Sequence, residues 1–197
     1  VTDFVPIRSL GVQLWGDLAG GAVSYAAGVF NGSSDGRVAN NSDFNDGKEL
    51  AGRLAFQPFK NNDIAALQGV GFGAGGSYSQ VNSNTVGLPN TTGGTLPGYT
   101  TSALQQFFAY NPAVGTVYAD EAHWRVSPYV NYTKGPFGLL GEYIISQQGV
   151  VNSATGARAN LVDSAWQASV QWVLTGEDAS FTGITPKSPF DPRAGKW

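Results

Sequence analysis

Leu10-Gly-Val-Gln-Leu-Trp-Gly-Asp-Leu18, followed by Ala19-Gly20-Gly21 and Ala22-Val-Ser-Tyr-Ala-Ala-Gly-Val-Phe-Asn31, reads as a β-hairpin. Side chains alternate across a strand, so Leu10, Val12, Leu14, Gly16 and Leu18 share one face, while Ser9, Gln13 and Asp17 share the other. The paired glycines supply the positive φ that a tight turn needs. On the return strand Val23, Tyr25, Ala27 and Val29 form the apolar face. A soluble sandwich shows the same alternation, so the hairpin alone leaves both architectures open.

Working outward, the pattern repeats over residues 48–59, 69–80, 123–133, 137–147 and 161–175. In the third strand Leu50, Gly52, Leu54 and Phe56 oppose Glu49, Ala51, Arg53 and Gln57. The fourth sets Val70, Phe72, Ala74, Gly76 and Tyr78 against a face of only glycine and serine, residues 71, 73, 75, 77 and 79. Such a face is weak in a soluble core and makes sense lining a lumen or lying under a loop. The fifth sets Trp124, Val126, Val130 and Tyr132 against His123, Arg125, Ser127, Tyr129 and Asn131. The sixth sets Leu139, Gly141, Tyr143 and Ile145 against Leu140, Glu142, Ile144 and Ser146.

Connections between these strands run short, long (32–47), short, very long (81–118), short, medium (148–160). Short turns alternating with long polar loops are the signature of an antiparallel transmembrane β-barrel. Charged residues make up 13% of the 197, about half the usual share, as expected where lipid replaces water on the outer face. No apolar run is long enough for a transmembrane helix. The segment 176–196 is long where a short turn is due. The chain therefore reads as an all-β, single barrel segment of about seven to eight strands, with strands missing at both ends and no visible signal peptide.

Composition excludes several functions. There is no cysteine, hence no disulfide framework or thiolate metal site. A net charge of −3 gives no nucleic-acid footprint. His123 is the only histidine and reads as a rim residue near Asp120 and Glu121; the rim acids Asp43, Asp46, Asp120 and Glu121 lack metal-ligand spacing. No catalytic set, metal site or cofactor is expected, and a barrel enzyme is disfavoured.

Several motifs resemble the phosphate-selective porin O/P family: Arg8-Ser-Leu-Gly-Val-Gln13 with Gly28-Val-Phe-Asn-Gly32, Arg53-Leu-Ala-Phe-Gln-Pro-Phe59, Trp124-Arg-Val-Ser-Pro128, Gly135-Pro-Phe-Gly-Leu-Leu-Gly-Glu-Tyr143, and Leu174-Thr-Gly-Glu-Asp-Ala-Ser-Phe181 with Pro186-Lys-Ser-Pro-Phe-Asp-Pro192 and Gly195-Lys-Trp197. The resemblance implies a homotrimer of roughly sixteen-stranded barrels in the outer-membrane lipid of a Gram-negative-type bacterium, passing small anions, in some members phosphate, by diffusion. Phosphate-selective members carry a ladder of lumenal arginines and a lysine cluster. Here 11 Lys and Arg face 14 Asp and Glu, and Arg53 and Arg125 are the only mid-strand arginines on a polar face. A non-conducting scaffold in a surface or electron-transfer assembly is the alternative.

On this reading the pore-lining candidates are Arg53, Arg125, Glu142, Glu49, Gln57, Asp17 and Tyr129. Arg53 and Arg125 offer guanidinium to oxyanions or pair with Glu49, Glu142 or Asp17. Glu142, flanked by Leu140 and Ile144, is expected to pair with a lumenal arginine. The loop 81–118 is the candidate constriction, through Tyr99, Phe107, Phe108 and Tyr110, or else an external loop packed at the trimer centre. Tyr25, Phe56, Tyr132, Trp166 and Trp172 are candidates for the aromatic girdle at the membrane–water interface. Trp15 falls by alternation on the lumenal face unless its strand is bulged.

Overall fold

The computed structural model describes residues 10–31, 48–81, 99–101, 103, 105–108, 117–152, 154–181, 183–188 and 193. They form β1 (Gly11–Leu18), β2 (Val23–Phe30), β3 (Glu49–Phe56), β4 (Val70–Val81), β5 (Tyr99–Thr100), β6 (Gln106–Phe108), β7 (Val117–Lys134), β8 (Phe137–Asn152) and β9 (Arg158–Trp172). Seven of these make one sheet in the order β1-β2-β3-β4-β7-β8-β9; β5 and β6 pair as a separate hairpin. Every pairing in the large sheet is antiparallel. The β1–β2 turn is a single 3-10 turn over Ala19–Gly21, with positive φ at Ala19, Gly20 and Gly21.

The sheet is inside-out relative to a soluble protein. Its apolar face is open: Val12 is 80% and Val170 77% exposed, and Leu14, Leu50, Val130 and Val162 join them. A contiguous apolar surface of this kind needs a cover other than water. The opposite face is concave and encloses a cavity of about 950 Å³. Its buried members are mostly polar, Glu49, Ser79, His123, Arg125 and Ser146, with Ala119, Ile144 and Val150 the apolar ones.

Outward aromatics fall in two bands. Phe56 stacks on Phe72 at 5.8 Å and Phe137 on Trp172 at 6.0 Å, at the end of the short turns. Tyr132, in register with Val70, belongs to the same band and donates to the Ala66 carbonyl at 3.0 Å. Six positions up the strands, Tyr78 pairs with Trp124 and Tyr143 with Trp166. That offset is about 20 Å along an extended strand.

Two expectations need correction. β7 begins at Val117 and β8 runs to Asn152, so residues 117–122 and 148–152 are strand, not loop. An acidic pair inside a strand disguised this: the chain bulges at Asp120 and Glu121, where Glu121 has a φ of 71°. Gly149 lies opposite; a Cβ there would stand 2.4 Å from the Asp120 carbonyl, so the bulge requires glycine. His123 is consequently not at a rim but buried within β7. β1 is not bulged at Trp15: its register with β2 is unbroken, and Trp15 sits on the concave face opposite Ala26. Beyond β9, the described part of 173–188 forms no further strand.

Candidate functional site: the concave wall

One row of register partners crosses the whole concave face: Asp17, Ser24, Ala55, Gly73, Tyr129, Glu142 and Gln167. The adjacent row holds Trp15, Ala26, Arg53, Gly75 and Ser127. Register therefore brings Asp17, Tyr129 and Glu142 to one level of the wall, with Arg53 one row away on the same face. With Gln57 and Arg125 they border the cavity.

Arg53 is exposed. Its Nη2 donates to the Tyr129 hydroxyl at 3.0 Å, and its Cζ lies 5.3 Å from the centroid of the Tyr129 ring. The ring crosses β4 because β4 has no side chain there. A Cβ on Gly73 would stand 2.4 Å from the Leu54 carbonyl and 2.7 Å from the Tyr129 hydroxyl. The glycine face of β4 is the clearance that lets β7 reach β3.

Arg125 behaves differently. It is buried, paired to Glu49 at 2.7 Å and donating to Ser77 at 3.1 Å. Its charge is largely cancelled where it sits. Glu142 does not pair with an arginine, contrary to expectation. Its Oε1 accepts from Ser127 at 2.5 Å and its Oε2 from Gln167 at 2.6 Å, and no cation lies within ion-pair distance among the described residues. Neutral donors on β7 and β9 fix the carboxylate more closely than the long arginine side chains could. Asp17 accepts from Ser24 at 2.5 Å.

Toward the long-loop end the wall is covered. The buried Tyr99 of β5 donates to Asp163 at 3.1 Å and stacks with Phe107 and Phe108, at 6.3 and 5.8 Å between centroids. His123 bonds Ser146 at 3.2 Å at this level. Tyr110 lies outside the described residues, as do Asp43 and Asp46. Asp120 and Glu121 both meet Arg158, Asp120 at 3.3 Å, and no set of three potential ligands is placed to hold a metal among the described residues. Of the girdle candidates, Trp166 and Trp172 are exposed on the apolar face, while Tyr25 and Phe56 also border the cavity.

At the short-turn end, residues 173–188 double back. Val173 N–H donates to Pro136 O and Ala179 N–H to Gly135 O, bringing Ala179, Ser180 and Phe181 to the cavity edge. Glu177 latches this strap. Its carboxylate accepts from the Thr175 hydroxyl and from Lys187 N–H at 3.1 Å, while Lys187 Nζ reaches Gly176 O at 2.7 Å. These bonds, the Thr175 hydroxyl foremost, hold the Glu177 carboxyl below the usual glutamate range.

Sequence reasoning missed Ser127 and Gln167 as holders of Glu142, Asp163 as the seat of Tyr99, and the Glu177 latch. Gln167 was visible as a polar mid-strand residue; the pairing that gives it a partner was not.

Neither the curated proteins nor the solved structures provide a match. The sequence pattern of one family, described as phosphate-selective porin O and P, matches residues 7–197, nearly the full length. A seven-stranded antiparallel sheet with an apolar outer face and a polar concave face is what part of such a barrel requires, and the chain belongs to the phosphate-selective porin O and P family.

Proposed function

We propose that this chain forms part of the wall of a water-filled pore in the outer membrane of a Gram-negative-type bacterium, through which small solutes, anions and phosphate among them, diffuse passively. The barrel closes when the free edges of β1 and β9 pair with further strands, since lipid tolerates no open sheet edge. Three such barrels assemble as a homotrimer, and the outward aromatic bands sit at the two interfaces of the lipid.

One observation carries the reading: the polar face is the concave one, and Arg53 stands on it exposed and without an ion pair among the described residues. Arg53 supplies fixed positive charge to a passing anion. Arg125 and Glu49 brace the wall. Tyr99, Phe107 and Phe108 belong to a loop that narrows the lumen; Tyr99 buried on Asp163 supports this role.

The test is conductance of the full-length protein in a planar bilayer under potassium chloride gradients with added phosphate. Stepwise anion-selective currents that phosphate blocks are the expected result. Large unselective currents would remove the anion preference, and no current from correctly assembled protein would overturn the pore.

A further inference from the structure

The wall at the level of Arg53 is not a run of positive charge. Arg53 and Glu142 both border the cavity, and neither is neutralised by an ion pair among the described residues. Arg53 is held by Tyr129 and Glu142 by Ser127 and Gln167, all uncharged donors or acceptors. Each group is fixed in place by neutral partners. Two of the roughly four acceptor sites of a carboxylate are taken on Glu142, leaving others for a ligand.

Beside the Tyr129 ring, which reaches from β7 to Arg53, the wall is hollow. Arg53 on β3 and Ser127 on β7 are in register across Gly75 of β4, and an ideal Cβ on Gly75 meets only the Gly52 carbonyl, at 3.8 Å. The strand carrying Arg53 and that carrying Glu142 are three inter-strand spacings apart, about 14 Å, and the arginine leans toward β7. On the other side of Arg53, Asp17 adds a second carboxylate to the wall. A purely anionic solute meets one guanidinium between two carboxylates. A solute with an anionic and a cationic end meets a matching pair.

We infer that the Gly75-floored hollow between Arg53 and Glu142 is a binding step for small zwitterions, of the class of free amino acids, with the anionic end on Arg53 and the ammonium on Glu142. The inference rests on the concave face being the lumen.

The experiment uses the full-length protein in planar bilayers, with 6-aminohexanoate as the dipolar probe and hexanoate and hexylammonium as its single-charge analogues. The dipolar probe is expected to block current at lower concentration than either analogue. Arg53→Gln and Glu142→Gln should each raise its blocking concentration roughly tenfold, the scale of one charge-assisted hydrogen bond. Glu142→Gln should at the same time strengthen block by hexanoate. Gly75→Leu, which fills the hollow and alters no charge, should also abolish block by the dipolar probe. A conducting pore in which 6-aminohexanoate blocks no better than hexanoate, or in which Glu142→Gln changes neither probe, overturns the zwitterion step and leaves the pore intact. Absence of any current overturns both.

Discussion

Arg125 on β7 and Glu49 on β3 form an ion pair of 2.7 Å across the intervening strand β4, with side chains only 4% and 2% exposed. The pair spans a strand because β4 carries only small side chains on this face, Ser77 in register with Arg125 and Ser79 in register with Glu49, and the Ser77 hydroxyl accepts from the same guanidinium. A buried pair is expensive to break: removing one partner leaves a desolvated charge.

Arg125→Met should therefore cost about 3–5 kcal/mol, seen as a lower midpoint in denaturant unfolding from detergent or lipid. Glu49→Leu combined with Arg125→Met should recover most of that loss, because no lone charge remains. Equal instability of the single and double variants would show that the pair is not the source of the cost.

Arg53 predicts the opposite profile. It is exposed and held by one neutral hydroxyl, so Arg53→Gln should leave stability within about 0.5 kcal/mol. The chloride-over-potassium permeability ratio, read from reversal potentials, should fall by a factor of about two to three as one lumenal charge is lost. An unchanged ratio would mean that selectivity is set at another level of the pore.

Gly73→Val addresses the clearance beneath Tyr129. The new Cβ would collide with the Leu54 carbonyl and the Tyr129 hydroxyl, and a backbone oxygen cannot move aside cheaply. A loss of about 1–3 kcal/mol is expected, with a smaller fall in the permeability ratio than Arg53→Gln gives, since the arginine loses its hydroxyl partner and stays in the chain. Ser77→Gly, on the same face, is the comparison: it enlarges the space and should leave the ratio unchanged.

The Glu177 latch gives a pH dependence. The folded-state pKa is lowered, by the Thr175 hydroxyl first and the Lys187 N–H next. Its contribution is thus fully present above the unfolded value of about 4.3 and is lost as pH falls through the lower folded value. Hydrogen-exchange protection of the Lys187 and Ala179 amides, corrected for intrinsic rates, should hold from pH 7 to 5 and fall below pH 4. Glu177→Gln should show the low protection at neutral pH; a variant as protected as the parent chain would remove the latch.

Alternation made the two faces of the sheet legible in the sequence, and with them the common face of Asp17, Arg53, Tyr129 and Glu142. Period-2 patterning fixes a side chain's face whatever its neighbours do. What lay beyond it depended on pairing partners. Asp120 and Glu121 read as loop in the sequence because a bulge interrupts alternation, and His123 reads as a rim residue with them. Glu142 was matched to an arginine on charge alone, whereas register places Gln167 opposite it and a serine within reach. The strap at 173–188 carries no periodicity, so its return to the β7–β8 turn had no signal.

Tyr99 draws its partner, Asp163, from β9, although the hairpin that carries it lies in the chain between β4 and β7. β7 and β8 stand between β4 and β9 in the sheet, so this bond reaches past both of the strands that follow the hairpin in the chain. The last strand of the sheet is thereby tied to a segment that precedes it by 64 residues.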